Sequence, residues 1–345
     1  MKQRAKVIFA CESGSIAVSV AVVLVVLLGM SAVAIDYGHL TWVKADLTKA
    51  AEAGALAGAR TLVPYVGSPL TPNWVAGQTK ATQTVLLNHA DNRALTDCQV
   101  QYGYWSLSTR TLQSSGIVPT ALHLPAVQVS IAKAAGHNDG PIKMLFASIF
   151  GILTRDLNAR AVAVISFPTG VGKGALKPMV ATKSIVDNFW NSFDPLHPEI
   201  PFQFKIGEES NDPSVNDTMW STFKVVDNSN AYTKELIHNG NPTPLYIGDS
   251  IHLQPGVRAV DYGPNEMGLF INQTVVLPIV DPVTLVANTE APVLGFIAFH
   301  ITGFSQGNKY VEGYFDKEYV ITNPQGIGPP NPNLPSTPSP PKLVY

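Results

Sequence analysis

Charge is what this sequence has least of. Only 14% of its 345 residues are Asp, Glu, Lys or Arg, against roughly 25% in an ordinary soluble domain. The 23 Lys+Arg and 25 Asp+Glu leave a net charge of -2. No basic excess exists to neutralise phosphates, which excludes a general nucleic-acid binder. Two cysteines exclude a disulfide-stapled scaffold, a four-cysteine zinc site and an all-cysteine iron–sulfur site. There is no His-Glu-x-x-His helix and no Cys-x-x-Cys pair. The eight histidines are scattered, with no two of them three or four residues apart. No cofactor and no catalytic constellation is expected.

What the chain does have is apolar sequence: 46% hydrophobic residues and a mean hydropathy of +0.13. Residues 16–35 read IAVSVAVVLVVLLGMSAVAI, without charge or proline. Twenty residues at ~1.5 Å each span about 30 Å, the thickness of a hydrocarbon core. A backbone in lipid must satisfy its own hydrogen bonds, so the run is helical despite its valines. Ile16, Val20, Leu24, Leu28 and Ile35 mark this expected membrane span. Lys2, Arg4 and Lys6 precede it, with Glu12 as the only acid. The positive-inside rule then puts residues 1–15 in the cytoplasm and the rest outside. The competing reading is a signal peptide cut after Ala34, since Ala32-Val33-Ala34 is an A-x-A site. The run exceeds an ordinary signal-peptide core of ~7–15 residues, which favours a retained anchor.

Residues 36–62 are rich in alanine, and no proline occurs before Pro64. One helix of roughly 47 residues, on the order of 70 Å long, is expected to run from the membrane into the outside compartment. Ala50, Gly54 and Gly58 form a stripe of small residues on it, as do Ala51, Ala55 and Ala59. Such spacing lets another element approach the backbone closely. One reading is a helix-docking stripe for a partner or a second copy of the chain. The other, favoured for an Ala-rich face outside the membrane, is packing beneath the chain's own domain.

Three segments carry a family resemblance: Glu12-Ser-Gly14-Ser-Ile-Ala17, then Ala34-Ile-Asp36-Tyr-Gly38, then ADLTKAAEAGALAGAR ending at Arg60. Together they resemble the N-terminal region of TadG-like and TadE-like proteins of the bacterial Flp (tight adherence, Tad) pilus-assembly system. The resemblance is strongest over residues 14–60 and extends more weakly to about 167. Glu52 stands where the family has Asp, and Gly54 where it has Ala. The prepilin-type motif is absent, because the position five residues before Glu12 is Val7. The metal-binding Asp-x-Ser-x-Ser loop of some relatives is not carried over either: Asp227-Asn-Ser229-Asn-Ala231 lacks the second serine. The resemblance implies a single-pass inner-membrane protein, N-terminus cytoplasmic and later domains periplasmic or extracellular. It would be a non-catalytic scaffold, anchor or minor-pilin-like subunit, contacting membrane lipid and other Tad inner-membrane components or pilins. The alternative is a secreted or surface-exposed β-rich adhesin or envelope-binding module after cleavage near Ala34.

The fold class expected is α+β. The long helix leads into a small pilin-like antiparallel α+β domain (63–168), a linker (169–174), a mostly β, sandwich-like domain (175–322) and a disordered Pro-rich tail (323–345). In the first domain a loop covers 64–73 and a helix 74–92. Strands follow around 99–104, 127–131 and 159–167. A helix over 142–150 is expected, N-capped by Asp139 and stopped by Gly151. The TGVGKG run at 169–174 reads as a hinge, not a phosphate loop, because Gly174 replaces the required Ser/Thr. Strands in the second domain are expected near 202–206, 222–226, 244–247, 257–260, 274–280, 293–304 and 309–321, with a helix at 231–238. Residues 323–345 hold eight prolines and little apolar surface to bury.

The remaining candidates are weak. Gly303-Phe-Ser305-Gln-Gly307 matches a nucleophile elbow formally, but a strand follows and no histidine comes later, so a hairpin turn is the better reading. His300 reads as a hydrogen-bonded core histidine. Asp249, Asp261 and Glu266 read as solvated loop acids before a calcium site. Cys11 and Cys98 fall on opposite sides of the expected membrane and cannot pair within one chain.

Overall fold

A computed structural model describes residues 13–63, 71–192, 200–207, 214–227, 229–254, 263–281, 288–308, 310–329, 331 and 333–345. Helix α1 (Ser13–Arg60) is continuous for 48 residues, and its two halves differ in what surrounds them. From Ile16 to Ile35 nearly every side chain is exposed. From Val43 onward one stripe is fully buried: Val43, Leu47, Ala50, Ala51, Ala55 and Ala59. Recurrence at three and four residues is the period of a helix face laid on a core.

Helix α2 (Trp74–Leu86) packs antiparallel along that stripe through Gly77, Ala81 and Val85, themselves four residues apart. The Asn73 side chain caps it by accepting from the Ala76 N–H at 3.2 Å. It ends before the expected residue 92. Asp91 and Asn92 both take positive φ (56° and 55°) and turn a short hairpin, His89–Ala90 with Arg93–Ala94. Asp-Asn favours this turn more than helix continuation.

Both helices lie on one face of an antiparallel sheet. Its strands are β1 (Gln99–Ser106), β2 (Leu112–Gln113), β3 (His123–Lys133) and β4 (Leu157–Val164), with the chain's last strand, Lys342–Leu343, on the far edge of β4. Alternation decides the faces. Val127, Val129 and Ile131 of β3 and Ala159, Ala161 and Ala163 of β4 meet the helices. Leu124, Ala126, Val162 and Val164 pack with Trp105 on the other side.

The helix expected over 142–150 does not form. Ile142–Lys143 pairs with Thr154–Arg155, and a 3-10 turn, Ala147–Phe150, closes the tip at Gly151 (φ +81°). Asp139 sits at φ +63° in the preceding turn and caps nothing there. The N–H groups of Leu145, Phe146 and Ala147 are claimed by a carboxylate from another element, as shown below.

The β-rich part is one branched eight-stranded sheet. Strands β5 (Ala181–Thr182), β6 (Phe204–Gly207), β7 (Val215–Asp217), β8 (Ser221–Phe223), β9 (Ser250–Leu253), β10 (Gln273–Val280), β11 (Glu290–Ser305) and β12 (Tyr310–Phe315) run in the order β5-β10-β11-β12-β6-β7. β9 joins β11 to β8 as a branch. β11 is central and buried on both faces: Ile297, Phe299 and Ile301 on one, Val293 and Phe296 on the other. Helix α3 (Lys183–Phe189), which the sequence pattern did not announce, is capped by Thr182. Helix α4 (Asn230–Asn239) is capped by Ser229 and ends at Gly240. The expected strand at 257–260 lies outside the described residues.

Two expectations about connecting segments are corrected. The 169–174 hinge is clamped: Gly170–Val171 pairs with Leu245–Tyr246, the Gly172 N–H donates to Asn323 O, and Asn241 Nδ2 donates to Gly172 O. The Pro-rich tail is ordered where it is described. Ile327–Gly328 pairs with Phe167–Pro168, and Leu334 enters the core of the β-rich part. Thr337 hydrogen-bonds β11, Ser339 reaches Ser166, and Lys342–Leu343 completes the first sheet. Low apolar content did not leave it unfolded, because backbone and hydroxyl hydrogen bonds to strand edges carry an extended Pro-rich strap.

Candidate functional site around the waist of the long helix

Among the described residues, one helix is long and apolar enough to cross a membrane, and its apolar window is wholly uncovered. Ile16, Val20, Leu24, Leu28 and Ile35 are all about half exposed or more, and Val18, Val22, Val25 and Val26 on the other sides of the helix are exposed as well. No part of the described chain shields them.

Immediately above Ile35 the environment changes. Asp36 is 4% exposed, and its carboxylate faces the 3-10 tip. The Leu145 N–H donates to Oδ1 at 2.9 Å, the Phe146 N–H to Oδ2 at 3.0 Å and the Ala147 N–H to Oδ2 at 2.6 Å. Burial by itself would raise this carboxyl, but the Ala147, Leu145 and Phe146 N–H groups outweigh it, and its pKa lies below the ordinary Asp value. One turn higher, His39 Nε2 lies 2.8 Å from Asp91 Oδ1, tying α1 to the 89–94 hairpin. Lys44 Nζ donates to the Asn158 carbonyl. Three polar ties therefore fix α1 to its sheet domain directly above the apolar run.

The sign of the Asp36 effect follows from its lowered pKa. The latch is complete above the ordinary Asp range and is lost as pH falls through the lower folded value. The Ala147 amide proton shift, followed by NMR, should titrate with a midpoint below that of an exposed Asp. Asp36→Asn should raise hydrogen exchange at Leu145, Phe146 and Ala147 at neutral pH and leave β3 amides unchanged. A midpoint at or above the ordinary Asp value would contradict the latch.

Gly54 and Gly58 are buried against the chain's own α2 and β3, and Ala50 is buried in the same core. A Cβ added at Gly54 would stand 2.6 Å from Val85 Cγ2, and one at Gly58 would stand 2.8 Å from Ala81 Cβ and from the Gly77 carbonyl oxygen. This corrects the partner-docking and self-association reading of the stripe: the face is already filled, and the helix docked on it is α2.

The other candidates are dispersed. Ser305 closes the β11–β12 hairpin opposite Tyr310, and its hydroxyl accepts from the Asn308 N–H. Among the described residues strand β12 follows it instead of a helix, so no elbow forms. His300 lies 3.0 Å from the Thr274 hydroxyl and stacks on Tyr314. Asp249 pairs with Lys224 at 2.6 Å and Glu266 with Lys234 at 3.3 Å, while Asp261 lies outside the described residues. Among the described residues no group of three or more His, Cys, Asp or Glu could hold a metal ion. Cys98 is half-buried with its thiol pKa pushed up by burial, and Cys11 lies outside the described residues.

Sequence reasoning placed the span and the stripe but gave Asp36 no role beyond its motif. The available signal was its position: an acid one residue past an uncharged run, where only a specific partner set makes burial tolerable.

The match to known proteins follows the same anatomy. Residues 31–163, from the top of the apolar run through β4, match the family model described as putative Tad-like Flp pilus-assembly. That match covers less than half of the chain; it supports a Tad-family protein and bears out the resemblance where the two overlap, over residues 31–60. No curated protein and no solved structure matches the chain.

Proposed function

We propose that the protein is a membrane-anchored, non-catalytic component of Tad-type Flp pilus assembly, acting as a scaffold, anchor or minor-pilin-like subunit. The observation that carries this reading is the continuity of α1. Its uncovered apolar half passes without a break into the buried half of the domain that matches the Tad family. A rigid helix joined by three polar ties transmits position, and position is what an assembly component supplies. In this reading the N-terminus is cytoplasmic, residues 36–345 project from a bacterial inner membrane, and the contacts are lipid and other Tad components or pilins.

The test is fractionation and complementation in a piliated host. The full chain should stay in the membrane pellet after alkaline extraction, and it should restore piliation to a strain lacking it. A version lacking residues 1–35, exported by a cleavable leader, should not. A mature protein beginning at Ile35 would overturn the anchor and favour the surface-exposed adhesin.

A further inference from the structure

The tip between Ile142–Lys143 and Thr154–Arg155 reads MLFASIFGIL, ten residues without a charge. Leu145, Phe146, Ile149, Phe150, Ile152 and Leu153 are all exposed, with Ile149 and Phe150 at 77% and 76%. A patch of this kind on a soluble face is unusual. Its backbone is largely self-satisfied. The Met144 N–H donates to Leu153 O, the Ile149 N–H to Phe146 O, the Gly151 N–H to Ser148 O and the Ile152 N–H to Ala147 O. Asp36 takes the next three. That is the condition for placing irregular backbone next to hydrocarbon.

Its location is fixed as well. Asp36 holds the start of the tip one residue above Ile35, where the uncovered apolar run ends. Lys143 and Arg155 stand at the base of the tip, as cations at the headgroup level of an anionic bilayer would. Tyr37 and Trp42, 71% and 48% exposed, add the aromatic pair typical of that depth.

We infer that this tip is a second membrane contact: it enters the headgroup–acyl boundary of the leaflet from which α1 emerges. The domain is thereby seated on the bilayer at two points, which fixes its tilt and rotation about α1. Lipid is favoured over a protein partner because the tip continues the apolar surface of the span and has Lys143 and Arg155 at its base. The inference rests on the anchor proposed above.

The test uses the full-length chain with Cys11→Ser and Cys98→Ser, in nanodiscs containing phosphatidylglycerol. Single variants Ile149→Cys, Phe150→Cys, Leu24→Cys and Val118→Cys each carry an environment-sensitive dye. Val118 is 88% exposed in a loop of the same domain and serves as the aqueous reference. Lipids bearing a nitroxide near the headgroup should quench the dyes at 149 and 150 several-fold more than the dye at 118. Aqueous iodide should quench them several-fold less. Dyes at 149 and 150 that behave like 118, while 24 is in lipid, overturn the inference and leave the anchor standing. Shielding from both quenchers marks a protein cover, such as a second copy, and also overturns it. A dye at 24 that is not in lipid removes the anchor and the inference together.

Discussion

Gly58→Leu should abolish the folded core of residues 36–163, while the membrane insertion proposed for α1 persists. At this position the α1 and α2 backbones approach so closely that even a methyl group would sit 2.8 Å from the Gly77 carbonyl oxygen and 3.0 Å from Val127. Backbone cannot swing aside as a flexible side chain can, so α2 must move away. Overpacking of this kind costs about 1–3 kcal/mol, and the helix-propensity gain of Gly→Ala offsets about 1 kcal/mol. Gly58→Ala is therefore expected to lose on the order of 1 kcal/mol net, and Gly58→Leu, with three more carbons and no space, far more. Gly38→Ala is the control. Nothing lies within 4 Å of its added Cβ, so it should gain up to about 1 kcal/mol. Denaturant unfolding of the solubilised full chain measures all three. A folded, stable Gly58→Leu chain would mean that the stripe is free and would return it to partner docking.

The same residues show what was legible in the sequence. The small-residue period announced a close approach, and the period-2 alternation of Val127, Val129 and Ile131 announced the face it approaches. Neither pattern states which element arrives, because Gly54 packs as well under the chain's own helix as under a neighbour's. The central strand β11 was legible for a simpler reason: a run apolar at odd and even positions alike fits a strand covered on both sides. The 142–150 tip was not. Its misread helix came from local cues, Asp139 and Gly151, while the deciding contact comes from Asp36, more than a hundred positions earlier. The tail was misread because composition measures buried apolar area. Leu334 and the hydrogen bonds of Thr337 and Ser339 act at particular strand edges.

Removing residues 334–345 should destabilise both the first sheet and the β-rich part rather than trim a passive end. Leu334 is 3% exposed within the β-rich core, and truncating a buried leucine to alanine alone costs about 2–5 kcal/mol. Thr337 accepts from the Ala298 N–H at 2.7 Å, and its own N–H donates to Phe296 O at 2.9 Å. Without it, a buried donor and acceptor of β11 lose their partners, at about 1–3 kcal/mol each unless water replaces them. The Ser339 N–H reaches Ser166 O, and Lys342–Leu343 covers the edge of β4. That edge would be left open to pair with another chain. Prolines restrict the unfolded strap, so ordering it costs less entropy than an ordinary segment of the same length would. The contributions are close in space and need not add, but all have one sign. Leu334→Ala and the truncation should both lower the denaturation midpoint of the β-rich part. Only the truncation should raise hydrogen exchange along β4 and promote association. An unchanged midpoint in the truncated chain would make residues 334–345 a bystander.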